Sequence, residues 1–506
     1  MKKTGLFKII MYVLLGIVVM TWIFSASYFQ DGELAEMGMY NIGFFDYFQL
    51  LFSSFAFSYF IQILILLVSV GALYGVLVKT GKYRALIDRI ATNLKGIELL
   101  FLIGSAVVIA LITSIFDYGF ALFIFLPFVI GIILTMGYDR ITACLATFGA
   151  MLVGTIGSTL GYNTTGTITG ILNADLTTGM IYKLVLLALS LIALIFFLAK
   201  AKRIKKGSID TTSKKTIDSS KTKKTKPIVI EQTNDLADDD NLFIGEKIAN
   251  KYSVAPIIII LSLVFIILVL GCTKWSEVFG VNVFSKANDA VTNFTVNLPQ
   301  FHITSDGFEY GKEKVAIFSK ILGKNVAFGE WYYSDMSIVC LVAAFILGLF
   351  YRMKLKETFK NMADGAMKML KPALLVVFIY SVIYFAANAM FFPTIAEHLL
   401  NIGKGFNIFF NTIVTILGSA LHVDILYVAN YMLPQMAAQD VSATVLTILT
   451  QSIYGVTMFV APTSVLLALG LSYLGVSYKD WLKKVWPLAL ILFAISIVVS
   501  VISMLI

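Results

Sequence analysis

Long apolar runs recur along the whole chain, and they constrain its fold more than any other feature. Runs of about 20 apolar residues have the length of a bilayer-crossing α-helix. Of the 506 residues, 58% are hydrophobic and 14% are charged, which is more apolar surface than one globular core buries. Long segments of alternating apolar and polar residues, typical of outer-membrane barrels, are nearly absent. We therefore predict an all-α polytopic membrane protein with about nine transmembrane helices.

Charged residues flank the apolar runs and predict their orientation. The net charge is +9, but the basic residues lie beside the predicted spans and in one hydrophilic insert. They form no groove with stacking aromatic residues, so we expect no nucleic-acid partner. By the positive-inside rule, the chain is a multi-pass protein of the cytoplasmic (inner) membrane, with its N-terminus in the cytoplasm and its C-terminus outside. The three cysteines lie in or beside apolar runs, so no disulfide framework is expected.

The order of apolar and polar segments predicts four regions. Residues 1–200 contain spans at 7–29 and 57–78, a cytoplasmic re-entrant hairpin at 99–136, a broken helix at 141–175 and a span at 181–198. Residues 201–252 form a disordered cytoplasmic linker, and 253–334 contain a connecting span and an extracellular segment. Residues 335–506 contain spans at 337–350 and 372–390, a hairpin at 406–436, a broken helix at 443–475 and a span at 486–504.

This order of elements occurs twice, and an odd number of crossings separates the two copies. The second copy should therefore have the opposite orientation, which makes the chain an inverted repeat with two re-entrant hairpins and two broken helices. Inverted repeats are typical of secondary carriers that work by alternating access.

Two uncharged tracts interrupt apolar runs, GTIGSTLGYNTTGTITG at 154–170 and VAPTS at 460–464. Irregular backbone at membrane depth needs hydrogen-bonding partners, and the ends of the two half-helices carry partial charges that can hold a solute. We predict that these side chains bind substrate: Ser158, Thr159, Asn163, Thr164, Thr165, Thr463 and Ser464. The predicted backbone breaks are at Gly154, Gly157, Gly161, Gly166 and Pro462. The alternative is that glycine and small hydroxyl residues only allow close helix packing.

Ionisable residues lie at both predicted hairpin tips, Asp117 in TSIFDYG and His422 and Asp424 in GSALHVD. They could bind a coupling ion, carry a proton or balance the amino group of a substrate. The alternative is that they are solvated loop residues. We expect sodium or a proton as the coupling ion, with sodium near Gly157 and Thr463, and no other cofactor. The sequence contains no Walker loop, HExxH motif or nucleophile elbow, so an enzyme is not predicted.

Several segments resemble a known family. FDYGFALFIFLPFVIGIILTMGYDRITACLATFGAMLVGTIGSTLGYNTTGTITGIL, APTSVLLALGLSYLGVSYKDWLKKVWPL and LVKTG are similar to segments of the YfcC-like carriers of the ion transporter superfamily. These are relatives of anaerobic four-carbon dicarboxylate carriers and of basic amino acid antiporters. The chain departs from the family pattern at Asp117-Tyr118, at Asn163-Thr164-Thr165 and at His422-Val423-Asp424, where relatives show an acidic pair, Asn-Pro-Phe and a PSGSG-like tip.

The resemblance implies a homodimer in which hairpins and broken helices move against a static scaffold, that is, an elevator-type carrier. It implies dicarboxylates or basic amino acids as substrates, coupled to cations or to exchange. It also implies that substrate contacts lie at these residues: Gly157, Ser158, Thr159, Asn163, Pro462, Thr463 and Ser464.

Together these features predict a secondary active transporter that moves a small carboxylate-bearing metabolite across the lipid bilayer. The metabolite is an amino acid, basic or otherwise, or a four-carbon dicarboxylate. Two alternatives remain open: an ion or solute channel, and a membrane receptor or assembly protein with no transport cycle, for which the long segment at 273–334 would serve.

Overall fold

The computed structural model describes residues 5–30, 32–203, 242–245, 252–304, 307–323 and 326–505. The predicted disordered linker at 201–252 lies outside the described residues, apart from 201–203, 242–245 and 252. The division of the chain into four regions stays a prediction.

The first part of the chain, through residue 199, is built from helices and one β-hairpin. Its elements are α1 (Leu6–Thr21), β1 (Ala26–Gln30), β2 (Glu33–Gly38), α2 (Phe44–Phe55), α3 (Ser58–Lys79), α4 (Lys82–Asn93), α5 (Glu98–Phe116), a 3₁₀ turn (Gly119–Ile124), α6 (Leu126–Thr135), α7 (Arg140–Cys144), α8 (Ala150–Ile156), α9 (Thr167–Ile171) and α10 (Met180–Ala199). Short π-helical turns lie at Leu145–Gly149 and Tyr162–Gly166.

The second part begins with α11 and contains a second β-hairpin. Its elements are α11 (Ala255–Cys272), α12 (Trp275–Phe279), α13 (Val283–Thr292), β3 (Thr295–Thr304), β4 (Gly307–Ala316), α14 (Ile317–Leu322), α15 (Tyr333–Phe350), α16 (Leu355–Ala389), α17 (Phe392–Ile402), α18 (Ile408–His422), α19 (Ile425–Ala437), α20 (Ala443–Val460), α21 (Val465–Leu474) and α22 (Tyr478–Leu505).

The described residues are mostly helical, and eight of their helical segments are long and apolar enough to cross a membrane. A helical hairpin, a broken helix and a long apolar helix follow one another in the same order in both parts of the chain, as α5–α6, α7–α9 and α10 and as α18–α19, α20–α21 and α22. The inverted orientation of the two copies and the side of the membrane on which each loop lies stay predictions.

The first predicted span, at 7–29, is shorter in the structure. Helix α1 ends at Thr21, and residues from Ala26 onward form β1 instead. At 16 residues, α1 is about 24 Å long and does not span a bilayer on its own. A hydrogen bond from the Trp22 indole to the carbonyl oxygen of Ile42 (3.0 Å) joins the end of α1 to the residues just before α2.

The two β-hairpins correct the prediction that the chain is all-α. Strand β1 pairs with β2, and β3 pairs with β4, each as a two-stranded antiparallel ribbon. Both turns contain an Asp-Gly dipeptide, 31–32 and 306–307, which is a strong hairpin signal in a sequence. Gly32 and Gly307 have positive φ angles (87° and 128°), which glycine adopts without strain.

Helix α16 is continuous over 35 residues, Leu355–Ala389, whereas the predicted span begins only at Pro372. A proline inside a helix removes one backbone hydrogen bond and generally kinks the helix. Here Pro372 is buried, so packing on neighbouring helices stabilises a helix that the local sequence would interrupt.

Helices α3 and α16 pack with their backbones nearly in contact. A Cβ atom on Gly71 would lie 2.6 Å from the carbonyl oxygen of Gly365, and one on Gly365 would lie 2.6 Å from the Cα atom of Gly75. Only glycine fits at these three positions, because any side chain would separate the helices.

The first broken helix is interrupted between α8 and the π-turn at Tyr162, inside the predicted tract. The carbonyl oxygen of Ser114, in α5, accepts hydrogen bonds from the N–H groups of Thr159 (2.9 Å), Leu160 (3.3 Å) and Gly161 (3.2 Å). Its hydroxyl donates to the carbonyl oxygen of Gly157 (2.7 Å). One residue of the first hairpin therefore pairs most of the backbone that this break exposes.

Gln451, in α20, pairs two more carbonyl groups of the first break. Its Nε2 atom donates to the carbonyl oxygens of Ile156 (3.2 Å) and Ser158 (2.9 Å), and its Oε1 atom accepts from the Thr165 hydroxyl (3.0 Å). Gln451 is fully buried. It links the two broken helices directly.

The second broken helix is interrupted between Val460 and Val465. Two side chains of α22 pair the last carbonyl groups of α20. The Tyr478 hydroxyl donates to the carbonyl oxygen of Val460, and the Trp481 indole donates to that of Phe459 (3.2 Å). This break is therefore held by the final span.

We expect Gly365→Val to destabilise the folded protein by at least about 1–3 kcal/mol, because its side chain would overlap the backbone of α3. Thermal unfolding in detergent, followed by fluorescence-detected size exclusion, measures the change. Gly104→Ala is the matched control, since a Cβ atom on Gly104 meets no atom within 4 Å. A melting temperature for Gly365→Val equal to that of the control would contradict the role given to this contact.

We expect Gln451→Leu to destabilise the protein by about 1–3 kcal/mol, because it leaves the buried carbonyl group of Ile156 without the partner described here. The carbonyl group of Ser158 keeps a hydrogen bond from the Thr165 hydroxyl (3.1 Å). The same unfolding assay applies. Asn430→Ala is the control, because Asn430 is exposed and bonds only its own helix. Equal melting temperatures for the two variants would show that the first break does not depend on Gln451.

Candidate functional site

The tip of the first hairpin is held by Asp117. Helix α5 ends at Phe116, and Asp117 follows with a positive φ of 49°. Its Oδ2 atom accepts hydrogen bonds from the N–H (2.8 Å) and the hydroxyl (2.7 Å) of Thr164, and its carbonyl oxygen accepts from Asn163 Nδ2 (2.8 Å). A carboxylate near the N-terminal end of a half-helix is electrostatically favourable. Asp117 therefore joins the first hairpin to the first break.

The tip of the second hairpin contains a tight three-residue turn. The N–H of Asp424 donates to the carbonyl oxygen of His422, and Val423 between them has a positive φ of 60°. This conformation is rare and strained, above all for a β-branched residue. The Tyr454 hydroxyl holds it by donating to the carbonyl oxygen of Val423 (3.0 Å).

Asp424 follows this turn and caps α19. Its Oδ1 atom accepts from the N–H of Leu426 (3.1 Å), and its Oδ2 atom accepts from the hydroxyl of Tyr59 in α3 (3.3 Å). Backbone strain at a hairpin tip is typical of functional sites, where it fixes the direction of a side chain. Here the turn directs Asp424 toward Tyr59.

Both hairpin tips and both breaks line one cavity of about 550 Å³. Asp117 and Asp424 come from the tips, Asn163 and Thr164 from the first break, and Ser464 from the second. Its volume lies in the range of cavities that bind small molecules. The cavity is also lined by tyrosines from seven parts of the chain: Tyr59, Tyr118, Tyr162, Tyr332, Tyr333, Tyr380, Tyr427 and Tyr454.

The segment after α11 closes one side of the cavity. Lys274, Trp331 and Tyr332 line it, although the sequence analysis gave this segment no part in the site. The Lys274 ammonium lies 5.1 Å from the ring centre of Tyr332 and 5.8 Å from that of Tyr162. A hydrogen bond between the hydroxyls of Tyr118 and Thr273 (2.7 Å) ties the segment to the first hairpin tip.

The predicted substrate-binding residues separate into two groups. Asn163, Thr164 and Ser464 line the cavity. The other four are buried outside its lining: Ser158, Thr159, Thr165 and Thr463. Within the described chain, the hydroxyls of Thr463 and Ser464 have no hydrogen-bond partner. Substrate binding by all seven residues stays a prediction.

The predicted break glycines differ in what surrounds them. A Cβ atom on Gly157 would lie 2.6 Å from the backbone of Leu187 in α10, and one on Gly154 would lie 2.9 Å from Thr113 Cβ in α5. The packing alternative therefore accounts for these two residues. Gly161 instead contacts the site, since its Cβ atom would lie 3.0 Å from Asp117 Cβ.

Gly166 and Pro462 lie at the edges of the two breaks. A Cβ atom on Gly166 would lie 3.2 Å from the Tyr162 ring, and Pro462 is half-buried between α20 and α21. These two residues shape the backbone beside the cavity without lining it.

His422 does not line the cavity. It is fully buried, with its ring stacked on Tyr431 (4.4 Å between centroids) and edge-on to Phe392 (5.1 Å). Its Nε2 atom has no partner among the residues described. Since Asp117 is also only 8% exposed, the solvated-loop alternative is wrong for both residues. Their role in ion or proton coupling stays a prediction.

The predicted sodium position has little support at Gly157, whose carbonyl oxygen already accepts from Ser114. At Thr463 the unpartnered hydroxyl is a suitable sodium ligand. In the part of the chain that the structure describes, no group of three or more His, Cys, Asp or Glu side chains could hold a metal ion. Sodium or proton coupling therefore stays a prediction.

Sequence reasoning missed Ser114, Gln451 and Lys274. Gln451 is the single amide in the apolar run ATVLTILTQSIYGVTMFV, and Lys274 is the first charge after α11. Both had a local signal, because isolated polar residues in or beside spans are generally functional. Ser114 had none, since a lone serine in an apolar helix is common.

A family model described as DcuC, C4-dicarboxylate anaerobic carrier, matches residues 4–505. A search of curated proteins found no match. Among solved structures, the chain is similar to the YdaH transporter of Alcanivorax borkumensis, with 12% identity over 98% of this chain and 97% of that chain and a TM-score of 0.41. It is also similar to MtrF of Neisseria gonorrhoeae, from a class of antimetabolite efflux pumps, with 11% identity over 98% and 94% and a TM-score of 0.40.

These findings confirm the resemblance to a carrier family and agree with eight helical segments that can cross a membrane. The chain is a multi-pass membrane carrier for small metabolites and is not an enzyme. Because the family model covers almost its entire length, the protein belongs to the DcuC family of C4-dicarboxylate anaerobic carriers.

Proposed function

We propose that the protein is a secondary active transporter of a basic amino acid. The observation that supports this is the shared cavity, which both hairpin tips and both breaks line and which contains two carboxylates. A solute bound there would contact the elements that alternate in the carriers with broken helices.

The charges of the cavity favour a cationic solute. Asp117, Asp424 and Lys274 are the charged side chains among its described lining residues, so two carboxylates face one ammonium group and leave one net negative charge. A basic amino acid carries one net positive charge. Its α-ammonium group and its cationic side chain would bind Asp117 and Asp424, and its carboxylate would bind Lys274 and the amide of Asn163.

The hydrogen bonds within the site leave acceptor atoms for these contacts. Asp117 Oδ2 accepts two hydrogen bonds from Thr164, while Asp117 Oδ1 has no hydrogen-bond partner among the described residues. At Asp424, the long bond from Tyr59 (3.3 Å) is the contact that a substrate ammonium would replace. The unpartnered hydroxyl of Ser464 offers a further group to the solute.

A four-carbon dicarboxylate is the second candidate, and the family description favours it. Two like charges 5 Å apart repel by about 3 kcal/mol at an effective dielectric constant of about 20, so a dianion beside both aspartates is unfavourable. Sodium or a proton bound at Asp117 or Asp424 would remove this repulsion. Dicarboxylate transport would therefore require cation coupling.

We also propose that transport uses an elevator motion in a homodimer. The cavity lies between two groups of elements, since Tyr59 and Tyr380 come from α3 and α16, whereas both aspartates come from the hairpin tips. The close glycine contact of α3 with α16 suits a rigid scaffold. The hairpins and broken helices, linked through Ser114 and Gln451, suit a unit that moves together.

Counterflow in proteoliposomes tests the substrate and the carrier mechanism together. We expect labelled arginine and ornithine to show trans-acceleration, and malate and aspartate to show none, with and without sodium. Acceleration of malate that requires sodium or a pH gradient would support the dicarboxylate instead. Flux without trans-acceleration for any of these solutes would indicate a channel and overturn the proposal.

We expect Asp117→Asn and Asp424→Asn each to reduce arginine counterflow by at least about tenfold, since losing one partner of a buried charge pair generally costs 2–5 kcal/mol. Asp175→Asn is the matched control, because Asp175 is exposed and does not line the cavity. Monodisperse size-exclusion profiles would exclude misfolding. Wild-type counterflow in both variants would remove the two carboxylates from the site.

We expect Asn163→Ala and Thr463→Ala to reduce uptake while leaving the yield of folded protein unchanged. Asn163 holds the first hairpin tip and lines the cavity, and Thr463 carries an unpartnered hydroxyl at the second break. Uptake in proteoliposomes at matched protein density provides the measurement. Normal uptake in both variants would exclude these side chains from binding.

A further inference from the structure

A four-residue segment within the predicted linker is buried in the core. Leu242, Phe243 and Ile244 are 0%, 2% and 1% exposed, and Gly245 follows them. The surrounding sequence, LADDDNLFIGEK, is polar, so the sequence analysis assigned the segment to a solvated linker. The structure corrects that prediction for residues 242–245, which are called the LFIG segment below.

The LFIG segment contacts elements from both parts of the chain. The Phe243 ring stacks on Tyr473 in α21 (6.4 Å between centroids, 17° between planes) and packs against Tyr74 in α3 (5.8 Å). The Tyr473 hydroxyl donates to the carbonyl oxygen of Leu242 (2.9 Å). The Lys368 ammonium, in α16, lies 6.0 Å from the centre of the Phe243 ring. The segment therefore connects α21 with α3 and α16.

The backbone of the segment has one specific conformation. Phe243 and Gly245 both have positive φ angles (52° and 72°), and a Cβ atom on Gly245 would lie 3.4 Å from Val78 Cβ. A bulky residue adopts a positive φ only where its surroundings favour it. The segment is thus fitted to a pocket formed by Tyr74, Val78, Lys368 and Tyr473.

We propose that this pocket is a docking site for the LFIG segment and that docking holds the transport elements still. The proposal rests on the proposed function, in which α21 belongs to the moving elements and α3 and α16 to the scaffold. Because Phe243 packs between Tyr473 and Tyr74, α21 moves relative to α3 and α16 only after the segment has left. The LFIG segment is an inhibitory latch supplied by the chain itself.

The composition of the segment suits reversible docking. Three apolar side chains gain free energy by burial, while four residues lose backbone freedom. These two terms oppose each other and leave a small difference. Occupancy of the pocket can therefore shift with modest changes elsewhere in the chain or in solution.

A disulfide between Val78→Cys and Gly245→Cys tests the docking and its effect. The 3.4 Å Cβ separation lies close to the mean of about 3.8 Å found in disulfides. The full-length chain would first carry alanine at Cys144, Cys272 and Cys340. We expect mild oxidation to form the bond and to abolish arginine counterflow, and a reductant to restore it. Each single cysteine variant, oxidised in the same way, is a control.

Phe243→Ala tests release of the latch without a covalent bond. If about 90% of molecules are docked, release raises the counterflow rate about tenfold, because the rate follows the undocked fraction. Phe44→Ala is the matched control, since Phe44 is 73% exposed on α2, away from the pocket. If Phe243→Ala does not fold, the disulfide experiment alone tests whether docking of the LFIG segment stops transport.

A second readout needs no substrate. Leu426 lines the cavity and is 51% exposed, so Leu426→Cys in the cysteine-free chain reports which face of the membrane reaches the site. We expect an impermeant maleimide to label it from one face in the otherwise unchanged chain and from both faces with Phe243→Ala. If this labelling pattern is found but no tested solute is transported, the docking inference stands and the proposed substrate is wrong.

Three results would overturn the inference. The first is the absence of a disulfide between positions 78 and 245 although the reduced double variant keeps the counterflow rate of the cysteine-free chain, which shows that a side chain at the φ of 72° of Gly245 has not displaced the segment. The second is equal counterflow by the oxidised and reduced forms of the double variant. The third is a folded Phe243→Ala protein with unchanged counterflow and unchanged labelling of Leu426→Cys.

Discussion

The fold depends on pairing the peptide groups that the first break exposes at membrane depth. Each unpaired N–H or C=O group in hydrocarbon costs several kcal/mol, so the break exists only because partners lie beside it. Ser114 supplies partners from the first hairpin, and Gln451 supplies them from the second broken helix. The same hydrogen bonds that offset the energetic cost of the break join α5, the first broken helix and α20. In the elevator motion proposed above, these bonds would make the joined elements move as one rigid unit.

The two breaks differ in what they leave unpaired. At the first break, Ser114 pairs the N–H groups of residues 159–161. Ser114 and Gln451 together pair the carbonyl groups of residues 156–158. At the second, α22 binds the carbonyl groups of Phe459 and Val460, while the hydroxyls of Thr463 and Ser464 remain without a partner in the described chain. Residues 156–161 of the first break are therefore paired within the protein, whereas Asn163 and Thr164, further along the same tract, line the cavity. The second break adds hydroxyl groups that are free to bind a solute or an ion.

Local signals in the sequence located the interruptions of the helices, and contacts between distant residues decided the rest. The apolar run of α3 and the polar stretch after Ile156 each carry a pattern of their own, so both were predictable. The pairing of Gln451 with Ser158, the position of Lys274 beside Tyr332 and the burial of Phe243 depend on how separate segments meet. No window of the sequence contains that information. The β-hairpins are different, because an Asp-Gly dipeptide at each turn is a local signal for a hairpin and the sequence analysis did not use it.

Contacts across the proposed sliding surface fall into two kinds. Tyr59 with Asp424 and Tyr118 with Thr273 lie at the cavity, where a bound solute competes for the same groups. Substrate binding can therefore weaken these contacts as it forms its own, which couples occupancy to motion. Phe243 with Tyr473 lies outside the cavity lining, so no bound solute replaces it. Release of the LFIG segment is thus a separate requirement for movement, and the cell can regulate it without changing the substrate site.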